Sequence, residues 1–184
     1  MSDDSRINGD RHQLPALDRE HLIFLNFQTA GQDRGSWPIE IGTARVQSDG
    51  SVRVQGNLIR PHPSWREDLW SSAHKQIHDI SRDRLKSVQP ADLIAAEYLE
   101  SIAGLTIVSN DPDLDRFCLD MLADTICATY IFEILGFNAA IAPFGFPGIK
   151  RAHAFQKGLR PSHRAGNDAA RLAMAWYAAS EGYS

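Results

Sequence analysis

From His21 onward the chain sets short apolar runs against polar punctuation. Leu22-Ile23-Phe24-Leu25 is the continuous apolar run of a buried central strand, and it ends at Asn26-Phe27-Gln28. After a loop, residues 38–46 place Ile39, Ile41 and Val46 among polar neighbours, which predicts a half-buried strand. Ser48-Asp49-Gly50-Ser51 marks a turn, and 52–59 gives a third strand. The start of the domain is therefore expected to be a three-stranded antiparallel meander.

Beyond Pro90 the period lengthens. Leu93, Ile94, Tyr98, Leu99 and Ile102 recur at helical spacing up to Gly104, with Pro90 in a first-turn position. Residues 105–109 read as another buried strand. Pro112 then opens a helix carrying Phe117, Leu119, Met121, Leu122 and Ile126. The Gly- and Pro-rich stretch 131–149 shows no period, and 153–158 reads as a short helix. A last helix runs from near Arg164 toward Ser180 with Ala169, Leu172, Ala173 and Trp176 in one stripe. This order predicts an α/β fold, a mixed sheet flanked by helices. Residues 1–20 are polar and aperiodic and read as a flexible tail, leaving 21–184 as a single domain.

Charge narrows the function classes. A net charge of −4 over 184 residues supplies no global basic field, which argues against a duplex-coating protein but not against one that grips a strand end. Cys118 and Cys127 read as small packing residues rather than a disulfide framework. The apolar stretch 131–149 is broken by Gly136, Asn138, Pro143, Gly145, Pro147 and Gly148, so no membrane span is expected, and a cytoplasmic location follows by default.

The residues with chemistry sit at the ends of these elements. Asn26-Phe27-Gln28-Thr29-Ala30-Gly31 closes the first strand, Leu114-Asp115 lies on the helix after the fourth, and His163 and Asp168 bracket the start of the last helix. Singly, Asp115 is an ordinary solvated charge, His163 a surface histidine, and Asn26 and Gln28 two polar residues at a strand end. Asp111 and Asp113 read as loop and cap residues. Trp65, Trp70, Phe144 and Phe146 read as core and loop anchors, with base stacking as the alternative. Arg60, Arg66, Lys75, Arg151 and Lys157 are candidate phosphate contacts.

Taken in order, the set resembles the DEDDh 3′-5′ exonuclease family. That family carries Asp-x-Glu at the end of strand one, followed by Thr-Thr-Gly, then a Phe-Asp-like dipeptide on a helix and a His-x-x-x-x-Asp. Leu114-Asp115 and His163…Asp168 match the second and third motifs, and Ile77-His78-Asp79-Ile80-Ser81 is similar to the family's Ile-His-Gly-Ile-Thr. The resemblance spans residues 22–178 and implies a ribonuclease-H-like mixed five-stranded sheet. It also implies two Mg²⁺ or Mn²⁺ ions roughly 3.5–4 Å apart acting on the 3′ end of a nucleic acid. Asp115 and Asp168 would be metal ligands and His163 the general base, with Phe27, Thr29 and His78 on the substrate side.

Motif one departs from the family: Asn26 and Gln28 stand where it has Asp and Glu, while Phe27, Thr29 and Gly31 match. Residues i and i+2 of a strand share a face, so the family pair aims two carboxylates at the metals. Amides keep that shape but lose two negative charges, and compensate poorly for the desolvation of a divalent ion. Weak metal binding and little exonuclease activity are therefore expected. Deliberate inactivation and a natural pseudoenzyme both fit such a pair. The alternative is a non-catalytic module that binds nucleic acid or a protein through the same cleft. His163 and Asp168 would diverge by about 140° if both were helical, which places His163 on the loop entering the helix.

Overall fold

The computed structural model describes residues 17–31 and 35–181. The proposed tail 1–20 falls mostly outside them; Asp18 caps a single 3-10 turn, Arg19–His21, that leads into the sheet. Strand β1 (Leu22–Thr29) pairs antiparallel with β2 (Pro38–Val46), and β2 pairs with β3 (Val52–Leu58). Asp49 closes the second turn by accepting from Ser51 N–H at 2.9 Å, while Gly50 takes φ 83°, the left-handed region that suits glycine.

Two parallel strands complete the sheet, whose order is β3-β2-β1-β4-β5. Strand β4 (Thr106–Ser109) pairs with β1 through Ile23↔Ile107, and β5 (Glu133–Gly136) pairs with β4. The helices following β3 are α1 (Ser72–His78), α2 (Arg82–Lys86) and α3 (Ala91–Ile102). After β4 comes α4 (Pro112–Thr125), and after β5 come α5 (Phe137–Ile141), α6 (Gly145–Gly158) and α7 (Ala165–Ser180). No helix among the described residues is long and apolar enough to cross a membrane.

Alternation along β1 divides the core into two layers. Ile23, Leu25 and Phe27 face α3 and α4, joined by Ile39, Ile41, Leu99, Leu119 and Leu122. Leu22 and Phe24 face α5, α6 and α7, where Phe24 and Phe144 pack on Trp176 at ring distances of 6.0 and 5.4 Å. Both layers are buried, and the mixed five-stranded sheet is flanked by helices on both sides, as expected.

Four local expectations change. Strand β2 is buried on both faces rather than one, because α7 lies directly over the face that carries Glu40, Gly42 and Ala44. An alanine Cβ at Gly42 would stand 2.1 Å from the backbone of Ala165 and Gly166, so only glycine admits this contact. The fifth strand, unplaced by pattern, is a four-residue edge too short to show a period. The short helix at 153–158 is the end of the 14-residue α6, which begins at Gly145 and tolerates Pro147 in its first turn because that N–H has no intrahelical partner. Pro90 is the N-cap of α3 rather than a first-turn residue.

Candidate active site

Asn26 and Gln28 continue the β1 face begun by Leu22 and Phe24, so they point toward the α7 layer. Register sets Asn26 opposite Gly42 and Gln28 opposite Glu40. Because α7 begins against Gly42, its first turn, which contains Asp168, is brought to the same stretch of sheet. The two amides are half-buried and bonded to each other, Gln28 Nε2 donating to Asn26 Oδ1 at 3.1 Å.

The approach to α7 is fixed by an ion pair. Glu40, 3% exposed, accepts from Arg164 Nε and Nη2 at 3.0 and 2.6 Å and from Ala165 N–H at 2.9 Å. This fork geometry satisfies a buried carboxylate and completes the first turn of α7. Asp168, 8% exposed, accepts from Ser162 N–H at 3.1 Å and so ties the preceding loop to the helix. Between these anchors His163 sits on the loop, half-buried, with φ 53°. The strand-helix spacing therefore places His163 and Asp168 as the sequence suggested.

Asp115 arrives from the opposite layer. Strand β4 last pairs with β1 at Phe24↔Val108, and the first turn of α4 reaches the backbone beyond that point. Asp111 caps this helix by accepting from Leu114 N–H at 3.2 Å, and Asp113 lies in its first turn. Asp115 is 2% exposed and accepts from Ser109 Oγ at 2.5 Å. Burial raises its pKa from 3.8 to about 7; the nearby Asp111 charge adds to this, while bonds from the Ser109 hydroxyl and the Phe27 backbone N–H oppose it. The fold thus favours the protonated acid. Its contribution to stability is complete below about pH 4 and is lost as pH rises through about 7. Asp115→Asn, which cannot ionise, is expected to gain several degrees in Tm on the parent between about pH 4 and pH 8, since three pKa units correspond to about 4 kcal/mol. A Tm offset that stays constant over that range would sink the assignment.

The remaining predicted residues, Phe27, Thr29 and His78, are buried. The Phe27 ring is buried between the sheet and α3/α4, so it is the backbone of Phe27 that faces Asp115. Thr29 is buried and donates to Gly31 O at 2.8 Å, and His78, 2% exposed, accepts from Ile80 N–H at 3.0 Å. Ser109, Ser162, Glu40 and Arg164 escaped the sequence reading. The polar pattern marks them as surface residues, and only the strand register and the α7 contact reveal their partners.

Of the four carboxylates that hold two divalent ions in the resembled family, two remain here, Asp115 and Asp168, and the two amides spend one donor and one acceptor on each other. No three His, Cys, Asp or Glu side chains group as a ligand set among the described residues. Hard cations need several charged oxygens, and these residues do not fit two of them.

No protein-family model and no curated protein matches the sequence. Solved structures do. E. coli Exonuclease I in complex with a dT13 oligonucleotide superposes with a TM-score of 0.63 at 14% identity, over 88% of this chain and 41% of that one. The zinc-bound form of the E. coli Exonuclease I–ssDNA complex gives 0.62 at 16% identity, over 88% and 40%. Exonuclease X in complex with 5′-overhanging duplex DNA gives 0.57 at 19% identity, over 88% of this chain and 92% of that one. The chain spans about two fifths of Exonuclease I. At these identities the likeness is one of architecture: the chain has the ribonuclease-H-like fold of these exonucleases.

Proposed function

We propose that residues 21–184 form a single nucleic-acid-binding domain of the DEDDh 3′-5′ exonuclease type, one that engages 3′ ends and hydrolyses them weakly or not at all. The observation that carries this is the amide pair Asn26 and Gln28, seated where β1, α4 and α7 meet and bonded to each other. The solved neighbours include complexes with single-stranded DNA and with overhanging duplex DNA, which supports nucleic acid as the ligand.

Electrostatics give the amides a positive role. A cluster of four carboxylates repels a phosphodiester unless cations neutralise it. Removing two of those charges reduces the repulsion, and amide N–H groups donate to phosphate oxygens. Binding should therefore need no metal. In this reading His163, on the loop that Asp168 ties to α7, would meet the terminal phosphate, a role supported by its position beside the first turn of α7. A cytoplasmic setting suits the two free cysteines.

The test compares the parent with Asn26→Asp/Gln28→Glu on labelled single-stranded DNA and RNA. In EDTA the parent is expected to bind, and the double variant to bind about 10-fold more weakly. With Mg²⁺ or Mn²⁺ the variant should release 3′ mononucleotides about 100-fold faster than the parent. Fast metal-dependent release by the parent would refute the impairment. Failure of the parent to bind any oligonucleotide would refute the nucleic-acid assignment and leave a protein partner as the cleft's ligand.

A further inference from the structure

A cavity of about 380 Å³ opens among Trp37, Arg60, His62, Trp65, Arg82 and Lys86. It lies at the same end of the sheet as the candidate site: Leu58, the last residue of β3, pairs with Glu40, which pairs with Gln28. Two strand spacings, about 10 Å, separate β3 from β1. A run of rings leads from the cavity to the buried His78. His78 meets Trp70 at 6.4 Å, Trp70 meets Trp37 at 5.8 Å, Trp37 stacks on Trp65 at 6.1 Å, and Trp65 meets His62 at 6.3 Å.

The cavity's charge is opposite to that of the chain. Arg60, Arg82 and Lys86 face a single acid, Glu67, in a protein of net charge −4. Arg82 binds Glu67 at 2.5 Å and Lys86 binds Asp83 at 2.8 Å, both through exposed side chains. Such surface pairs are weak and exchange readily for a stronger anion. Arg60 differs from both. Its backbone is held on two sides, Arg60 N–H donating to Gln89 O at 2.9 Å and Ala91 N–H donating to Arg60 O at 3.1 Å. Its guanidinium has no hydrogen bond or ion pair among the described residues. An arginine anchored at its backbone, with open guanidinium donors beside an aromatic wall, suits a phosphate carrying a planar ring.

We propose that this cavity is a second phosphate site, taking an upstream phosphodiester of the strand whose 3′ end occupies the cleft; the strand assignment rests on the function proposed above. The chemistry it recognises is a nucleotide phosphate, which a free mononucleotide also offers. The test measures anisotropy of labelled dT12 in EDTA for the parent and for Arg60→Gln/Lys86→Gln, two exposed positions whose folding is checked by thermal melting, with Arg60→Gln alone as the milder variant. The dT12 affinity is expected to fall about 10-fold and its salt slope to shrink by about 1.4, because each single-strand phosphate contact contributes about 0.7 to the slope. Equal dT12 affinity in parent and variant would overturn the proposal. Should the parent bind no oligonucleotide, the function proposed above fails by itself, and a titration with AMP followed by tryptophan fluorescence decides the cavity. A response that the Arg60 variants lose keeps the phosphate site as a mononucleotide site. No response in the parent removes it.

Discussion

Gly42→Ala is expected to lift α7 from the sheet and to destabilise the domain by about 3 kcal/mol, which for a chain of this length lowers Tm by about 6–12 °C. The added methyl would lie 2.1 Å from the Ala165 carbonyl carbon and the Gly166 nitrogen, both backbone atoms that no rotamer change can move. Relief requires a shift of the helix start, and with it Asp168 and the His163 loop. Oligonucleotide binding should therefore fall even at temperatures where the variant stays folded. Gly158→Ala is the matched control: a Cβ there meets nothing within 4 Å, so its Tm should stay level or rise slightly. An unchanged Tm for Gly42→Ala would mean that α7 does not sit this close to β2.

Arg164→Met is expected to cost about 3 kcal/mol, the usual result of stranding one member of a buried pair. The Glu40 side chain is 4% exposed against 38% for Arg164, so the arginine can be lost to solvent but the glutamate cannot follow. Adding Glu40→Gln to the same chain should recover most of the loss, because the amide removes the stranded charge and still accepts from Ala165 N–H. A double-mutant cycle measures the coupling directly. Additive losses, with no recovery in the double variant, would show that the pair contributes nothing as a pair. Amide exchange at residues 162–165 should quicken in the single variant, reporting release of the loop that carries His163.

Local pattern carried the sheet's first three strands to within one residue: 38–46 is β2 as observed, and 22–28 and 52–59 differ from β1 and β3 by one residue at one end. These strands have flanking turn residues and enough length to show their period. Strand β5 and the helices α1 and α2 lacked both, being four to seven residues long in polar or Gly-rich surroundings. The burial of Glu40 and Gly42 was illegible for a different reason. A charged residue and a glycine look like surface or turn positions, and their partners, Arg164 and Ala165, lie more than 120 residues away. The site followed the same division. His163 on a loop and Asp168 in a first turn followed from helix geometry alone. The protonated bias of Asp115 needed the packing of α4 and the hydroxyl of Ser109.

Asp115 and Asp168 belong to helices on opposite faces of the sheet, each embedded in its own core layer. The gap between them is therefore set by the thickness of a helix-sheet-helix sandwich rather than by any link of one helix to the other. A ligand that touched both carboxylates would be held in a caliper whose jaws are fastened to separate plates. Loosening either plate, by heat or by a cavity on one side such as that left by Trp176→Ala or Leu119→Ala, widens the jaws before the sheet itself gives way. Ligand grip should fade first on warming, and a strand held between the jaws should in turn clamp the two layers together.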